Sequence, residues 1–174
     1  MKSLDKLTNM AILLVCIVVI ADMIYRDMSS APLRAPTSTA RLEPFRRGEA
    51  FPRMTGLRQE SGKSSLLLVV KSSCKYCKDS IPFYQRLVNE IRSTNAAVQL
   101  VGLCLESDTA CANYFSETQV PVDVTLGAPN GLPRIQRTPT IVMLDPNGNV
   151  AEIWVGALGE DGQKAVLTAI TKRS

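Results

Sequence analysis

Residues 66–92 read LLLVVKSSCKYCKDSIPFYQRLVNEIR, and this stretch decides the fold. It begins with a continuous apolar run from Leu66 to Val70, which is typical of a strand that is buried on both faces of a sheet. Two cysteines follow, and from Asp79 to Arg92 the apolar residues recur at helical spacing. The stretch therefore predicts a buried strand that leads through a C-x-x-C motif into a helix.

The alternation of strand and helix continues toward the C-terminus. The pattern predicts a second buried strand, a helix, a β-hairpin and a closing helix, at Ala97 to Leu105, Asp108 to about Ser116, Thr140 to Val155 and Glu160 to Lys172. Asp108 is a candidate N-cap for its helix, and the sequence DPNGN at residues 145–149 favours a tight reversal within the hairpin. This order predicts an α/β domain that begins near Phe45 and covers residues 45–174.

The composition excludes several classes of protein and of chemistry. The chain has 174 residues, 45% of them hydrophobic and 21% charged, which is ordinary for a globular domain with an additional segment. The 20 basic and 16 acidic residues leave a net charge of +4 without a dense basic block, so a nucleic-acid partner is not expected. Histidine is absent, which excludes Ser-His-Asp and Cys-His catalysis and His-ligated zinc.

The N-terminal segment is apolar over the thickness of a bilayer. Residues 7–25 are mostly apolar, and about 20 such residues span a membrane. Residues 1–28 are therefore predicted to form a membrane anchor, with a cleaved signal peptide or a buried soluble helix as alternatives. Basic residues lie on both sides of the span, so the charge rule does not decide its orientation. Residues 29–44 are rich in Pro, Ser, Thr and Ala, which predicts a flexible tether.

Cys74 and Cys77 are the residues from which we predict the chemistry of this chain. At the N-terminus of a helix, unpaired N–H groups and the helix dipole stabilise an anion, so the Cys74 thiol should lose its proton more readily than a free cysteine. Lys75 and Lys78 add positive charge beside it. Cys77, about one turn later, can attack a mixed disulfide formed on Cys74 and release the substrate.

The other cysteines leave alternatives open. The five cysteines are an odd number and cannot all pair within one chain, and Cys16 lies in the predicted anchor. A zinc site at the C-x-x-C motif would have to recruit Cys104 and Cys111, whose six-residue gap does not repeat the motif, so a metal is not expected. Cys104 and Cys111 form either a disulfide, structural or secondary redox, or two buried thiols.

The order of these motifs resembles the thioredoxin superfamily, specifically its membrane-anchored, extracytoplasmic thiol-disulfide oxidoreductases of the TlpA/ResA type. The resemblance covers about residues 47–171. It rests on Gly48 to Pro52, the C-x-x-C pair followed by Pro82, an inserted helix and strand over Asp108 to Thr125, the Thr138-Pro139-Thr140 loop, and Asn147-Gly148 in the hairpin. It implies a thioredoxin-like fold, in which helices flank a central mixed sheet.

The resemblance also implies further site residues. Pro139 would follow a cis peptide bond and pack beside the cysteine pair, and the backbone of Thr138 would pair with a substrate strand. Cis peptide bonds are essentially confined to proline, which agrees with this role. Lys75 and Tyr76, between the two cysteines, complete the predicted catalytic site.

The sequence departs from the family pattern around the motif. Ser73 replaces the usual tryptophan, and Tyr76 stands where proline or histidine is common, so the redox potential cannot be inherited. The strand from Leu66 to Val70 contains no carboxylate of the kind that thioredoxins use to manage protons. Trp154, the single tryptophan, is expected in the core.

These observations predict an oxidoreductase that exchanges disulfides with protein thiols outside the cytoplasmic membrane. The resemblance favours the reducing direction, as in preparing apocytochrome c cysteines for haem. It implies protein dithiol or disulfide substrates, a membrane electron donor or acceptor, a single-pass anchor with the domain on the periplasmic side, and no cofactor. The main alternative is a non-catalytic binding module or a partner of a copper chaperone. A peroxidase is disfavoured because Ser72 and Ser73 do not match its motif.

Overall fold

The computed structural model describes residues 17–23, 43–57, 62–132 and 134–172. Residues 17–23 are helical and exposed. None of the helices within these ranges is long and apolar enough to cross a membrane. The rest of the predicted anchor, and the predicted tether up to residue 42, lie outside the described residues.

A five-stranded mixed sheet forms the centre of the compact unit Leu42–Ser174. Its strands are β1 (Ser64–Val70), β2 (Val98–Cys104), β3 (Val124–Gly127), β4 (Thr140–Leu144) and β5 (Val150–Val155), in the order β3-β2-β1-β4-β5. Strands β1, β2 and β3 are parallel, whereas β4 is antiparallel to both β1 and β5. All seven residues of β1 are buried, as its continuous apolar run predicts for a central strand.

Four helices accompany the sheet: α1 (Lys75–Asp79), α2 (Ile81–Ser93), α3 (Asp108–Glu117) and α4 (Glu160–Thr171). The helix predicted from Asp79 to Arg92 is present as α2, and Cys74 lies at a helix N-terminus as predicted, but the chain breaks at Ser80 and so forms two helices, which was not predicted. Pro82 lies in the first turn of α2, where its missing N–H would have no partner within the helix.

The two faces of the sheet are covered by different kinds of structure. Leu66, Leu68 and Val70 belong to a cluster that includes residues of α2, α3 and α4. Leu67 and Val69 point to the opposite face. That face is covered by irregular segments that contribute the core residues Phe45, Phe51, Leu132 and Ile135. The chain therefore passes from the carboxyl end of β1 toward α1 with packed side chains on both faces of the sheet.

Helix α3 packs closely on β2. Its N-cap is Ser107 rather than the predicted Asp108: the Ser107 hydroxyl accepts a hydrogen bond from the Ala110 N–H at 3.3 Å. The Asp108 carboxylate instead accepts from the Gly127 N–H at 2.6 Å and so links the helix to β3. Gly102 in β2 permits the close approach, because a Cβ there would overlap the Phe115 ring.

The β-hairpin has the predicted turn. The Asp145 carboxylate accepts hydrogen bonds from the N–H groups of Asn147 and Asn149, both at 2.9 Å. Gly148 adopts a φ of 84°, a conformation that favours glycine. The Gly48 N–H donates to the Val150 carbonyl at 2.8 Å, which holds the start of the domain against β5.

Candidate active site

Cys74 and Cys77 lie where the central strand passes into the first helix. Cys74 is the N-cap of α1, and its Sγ accepts a hydrogen bond from the Cys77 N–H at 3.3 Å. Both cysteines are free thiols; Cys74 is partly exposed, whereas Cys77 is fully buried. A disulfide in another molecule can therefore reach Cys74 directly but not Cys77.

The loop before β4 lies against Cys74. The Thr138–Pro139 peptide bond is cis, as the resemblance implied. The Cys74 thiol donates to the Thr138 carbonyl at 3.4 Å, and Pro139 is buried. The fold thus brings Thr138 and Pro139 to the cysteine pair, although 64 residues separate Cys74 from Thr138.

The two thiols differ in acidity. Burial acts to raise the pKa of Cys74. Hydrogen bonds from the side chains of Cys77 and Thr138 and from the N–H groups of Cys77 and Tyr76 act in the opposite direction. Their combined effect is larger, so the pKa of Cys74 lies below its usual value. Burial raises the pKa of Cys77, and the neighbouring Cys74 sulfur raises it further. Because the thiolate is the attacking form of cysteine, the geometry and the charges favour Cys74 as the nucleophile.

The two residues between the cysteines are exposed. Lys75 is the first residue of α1, and Tyr76 is 62% exposed. The Tyr76 carbonyl accepts hydrogen bonds from the N–H of Ser80 at 3.2 Å and from its hydroxyl at 2.8 Å, which closes the short helix. Both side chains are thus available at the surface beside Cys74.

Glu106 is a site residue that the sequence reasoning missed. Its carboxylate accepts hydrogen bonds from the Ser72 N–H at 2.8 Å and from the Ser72 hydroxyl at 2.6 Å, two residues before Cys74. Burial acts to raise the pKa of Glu106, but these hydrogen bonds and the charge of Lys71 together outweigh it, so the pKa lies below its usual value. A signal was present, because parallel neighbours such as β1 and β2 end at the same edge of the sheet, where Val70 pairs with Cys104.

The buried side of Cys77 is lined by neutral groups. Tyr84 and Tyr114 share its core cluster, and burial raises the pKa of both hydroxyls. The Tyr114 hydroxyl forms no hydrogen bond within the described residues. The same ranges contain no group of three potential metal ligands. The core cluster that contains Cys77 therefore includes two phenol hydroxyls.

Cys104 and Cys111 form a disulfide. Their Cα atoms are 5.2 Å apart, within the usual range, and both residues are fully buried. The structure thus decides between the two alternatives that the sequence left open. The bond joins the end of β2 to the first turns of α3.

Arg134 connects the segment before Thr138 to the start of the domain, and sequence reasoning missed it as well. Its guanidinium donates to the carbonyls of Glu43 at 2.6 Å and Pro44 at 3.0 Å and forms an ion pair with Glu49. It also lies 4.5 Å above the Phe45 ring. The hydrogen bond from Arg134 is the main cause that lowers the pKa of Glu49 to about 2. These contacts span about 90 residues, and no local pattern announces them.

Three solved structures with a similar fold are described as a thiol:disulfide interchange protein, a protein disulfide isomerase and a thiol-disulfide oxidoreductase. A protein described as a thiol:disulfide interchange protein DsbE from Chlorobium tepidum is 22% identical, with a TM-score of 0.55, covering 73% of this chain and 99% of that one. One described as a protein disulfide isomerase from Bacteroides thetaiotaomicron is 20% identical, with a TM-score of 0.58, covering 74% and 90%. The thioredoxin domain of a thiol-disulfide oxidoreductase from Bacteroides vulgatus is 17% identical, with a TM-score of 0.54, covering 72% and 99%. These likenesses confirm the thioredoxin-like fold.

Sequence comparison identifies the family. A search of the curated proteins gives no match. The family model described as TraF, F plasmid transfer operon protein, matches residues 27–162. This range is well over half of the chain and includes the C-x-x-C motif, the Cys104–Cys111 disulfide and the Thr138–Pro139 loop. The thioredoxin-like domain contains one pair of free cysteines and one disulfide. On the strength of this match, the chain belongs to the TraF family of F plasmid transfer operon proteins.

Proposed function

We propose that this chain is a thiol-disulfide oxidoreductase in which Cys74 is the nucleophile and Cys77 the resolving cysteine. The observation that supports this most strongly is the position of the Cys74 Sγ. It caps a helix, accepts from the Cys77 N–H at 3.3 Å, lies 3.4 Å from the Thr138 carbonyl oxygen and is partly exposed. The helix N-terminus and the Cys77 N–H stabilise a thiolate, and the partial exposure of Cys74 leaves it accessible to a client disulfide.

In the reducing direction, which we favour, the reaction has two steps. The Cys74 thiolate attacks one sulfur of a client disulfide, so a mixed disulfide forms and the other client sulfur leaves as a thiolate. This thiolate takes the proton of Cys77. The Cys77 thiolate then attacks the Cys74 sulfur, and the mixed disulfide breaks to release the second client thiolate. Two electrons pass to the client, and a dithiol donor reduces the Cys74–Cys77 disulfide again.

The backbone next to Pro139 is suited to holding an extended client segment. The Thr138 N–H forms no hydrogen bond to any of the described residues. When Cys74 has lost its proton, the Thr138 carbonyl also loses its donor. A client strand can use both groups, as an added strand does at a sheet edge. We therefore propose Thr138 and Pro139 as the residues that position the client cysteine over Cys74.

We further propose that the domain works outside the cytoplasmic membrane, anchored by residues 7–25. The apolar length of that segment and the buried disulfide support this setting, because disulfides persist in oxidising compartments. Apocytochrome c cysteines are one class of client that the TlpA/ResA resemblance suggests. The family match supports a second source of clients, namely proteins of a plasmid transfer system.

The reduction potential of the full-length chain, purified in a neutral detergent and equilibrated with glutathione, tests the proposed chemistry. We expect a reversible two-electron couple that Cys74→Ser abolishes and that Cys16→Ser, a matched removal of one cysteine, leaves unchanged. A value near −270 mV would support a reductant and one near −120 mV an oxidant. If the Cys74–Cys77 pair resists reduction, or Cys74 shows an ordinary thiol pKa, the binding-module interpretation replaces this one.

A further inference from the structure

The described part of the domain exposes two large apolar side chains, and both lie beside the cysteine pair. Over residues 43–57, 62–132 and 134–172 these are Tyr76, 62% exposed, and Val155, 51% exposed. Tyr76 stands two residues after Cys74. Val155 pairs with Thr140 across the sheet, and the next N–H, that of Gly156, donates to the Pro139 carbonyl at 2.7 Å. One exposed apolar group thus lies on α1 and the other at the end of β5, next to the Thr138–Pro139 loop, and together they indicate a surface that contacts another polypeptide.

Positive charges surround the same place. The Cys74 N–H donates to the Lys71 carbonyl at 3.0 Å, and the Lys78 N–H donates to the Cys74 carbonyl at 3.2 Å. Lys75 follows Cys74 directly, and Arg137 precedes Thr138. All four side chains are exposed. Among the described residues, no ion pair involves Lys75, Lys78 or Arg137.

Few negative charges offset these cations. Asp79 is exposed at the end of α1. Glu106 is a second carboxylate on this edge of the sheet, and it already accepts hydrogen bonds from Ser72 and interacts with the charge of Lys71. The cations around Cys74 therefore outnumber these two carboxylates, and the net positive charge of this surface favours a negatively charged partner.

We infer that the clients of this site carry acidic side chains, together with an apolar one, within a few residues of the cysteine that Cys74 attacks. Lys75, Lys78 and Arg137 bind the acidic groups, and Tyr76 and Val155 contact the apolar one. Opposite charge raises the rate of encounter and stabilises the complex before sulfur exchange. This inference rests on the proposed function, because it names the substrate class of the same site.

Peptide disulfides of matched sequence test the inference. Each peptide contains one cysteine and one leucine, flanked by Asp, Ser or Lys, and is used as its symmetrical disulfide. The prereduced full-length chain in neutral detergent reduces each peptide in a single turnover, and every rate is divided by that of dithiothreitol with the same peptide. At about 0.01 M ionic strength we expect the Asp peptide to react at least about threefold faster than the Ser peptide, and the Lys peptide to be slowest. At about 1 M the preference should vanish.

Charge-removal variants identify the residues responsible. The triple variant Lys75→Gln, Lys78→Gln, Arg137→Gln should lose the Asp preference. The matched triple variant Arg92→Gln, Lys164→Gln, Lys172→Gln removes the same charge elsewhere and should keep it. The quantity compared is the rate on the Asp peptide divided by the rate on the Ser peptide. A change in thiolate fraction or in overall activity alters both rates equally and so cancels. Val155→Ser should slow all three peptides by a similar factor.

The outcomes separate this inference from the proposed function. Equal rates on the Asp and Ser peptides at low ionic strength, or a preference that survives in the site triple variant, would overturn the inference and leave the oxidoreductase intact. An unchanged rate in Val155→Ser would overturn its apolar part. If the wild-type chain reduces none of the peptides that dithiothreitol reduces, the proposed function itself fails.

Discussion

The two cysteine pairs of this domain start from the carboxyl ends of adjacent parallel strands, and their surroundings differ in each respect that governs thiol chemistry. Cys74 caps a helix, is partly exposed and has a lowered pKa, and its partner is a free thiol one turn away. Cys104 and Cys111 are fully buried in the core and joined to each other. Two cysteine pairs at the same edge of one sheet thus differ in exposure, acidity and bonding, which are the properties that govern thiol reactivity.

Loss of the resolving cysteine should have the largest effect. Without Cys77, the mixed disulfide on Cys74 has no neighbouring thiol to release it, so Cys77→Ser should accumulate the adduct and lower turnover by at least about 10³-fold. Mass spectrometry of the chain after one turnover detects the adduct. Cys104→Ala/Cys111→Ala, the control, should keep turnover within about threefold. A similar loss in both variants would make the two pairs functionally equivalent.

Removal of the buried disulfide should affect stability instead. The bond closes a loop with a sequence separation of 7 residues, for which chain entropy predicts a loss of about 2.5 kcal/mol in Cys104→Ala/Cys111→Ala. Urea unfolding measures this loss in unfolding free energy, with Cys74 and Cys77 joined as a disulfide in both wild type and variant. Cys16→Ser, which removes a thiol outside the domain, should leave the midpoint unchanged. An unchanged midpoint in the double variant would contradict a structural role for this disulfide.

A smaller loss is expected when Glu106 is removed. Glu106→Ala deletes two hydrogen bonds to Ser72 and should cost about 1.5 kcal/mol of unfolding free energy at neutral pH, whereas Glu117→Ala on the exposed side of α3 should cost little. The pKa of Glu106 is lowered in the folded state, so its contribution is present above the unfolded pKa of about 4.3 and is lost as the pH falls through the folded value. The difference from wild type should therefore shrink in acid. A constant difference would show that the charge is unimportant.

The smallest expected effect is a shift in the pH midpoint of alkylation, which compares the Cys74 thiol with the Cys77 thiol. Because the pKa of Cys74 is lowered, its reaction with iodoacetamide should have a midpoint below the free-cysteine value of about 8.5. Cys77, with a raised pKa and a buried side chain, should react later and at higher pH. Peptide mapping after timed quenching assigns each label. If the midpoint for Cys74 lies at or above the free-cysteine value, its surroundings do not stabilise the thiolate, and the argument from charge for Cys74 as the nucleophile fails.

Local patterns were enough to predict most of the fold. The apolar runs at β1 and β2, the paired strands around Asp145 to Asn149 and the last helix are visible because periodicity and turn chemistry act over a few residues. The break at Ser80 was not predicted, because the apolar spacing of the helix continues across it. The helix start directly after Cys74 was predicted, because the C-x-x-C motif follows the buried strand.

The candidate site was predictable only where its residues are neighbours in sequence or belong to a known motif. The C-x-x-C pair and the Thr138–Pro139 loop fall in these classes. Glu106 contacts Ser72 across 34 residues, and Arg134 contacts Glu49 across 85. The Cys104–Cys111 bond depends on how closely α3 approaches β2 at Gly102. Such contacts are set by tertiary packing, and a local sequence pattern does not indicate which distant residues come close together.

Glu106 lies inside the loop that the Cys104–Cys111 bond closes, and from there it binds Ser72, whose chain leads directly to Cys74. A short path of covalent and hydrogen bonds therefore joins the two cysteine pairs of the domain. Any free energy by which reduction of the buried couple disturbs the reactive one must appear, with equal size, as an effect of the reactive couple on the buried one.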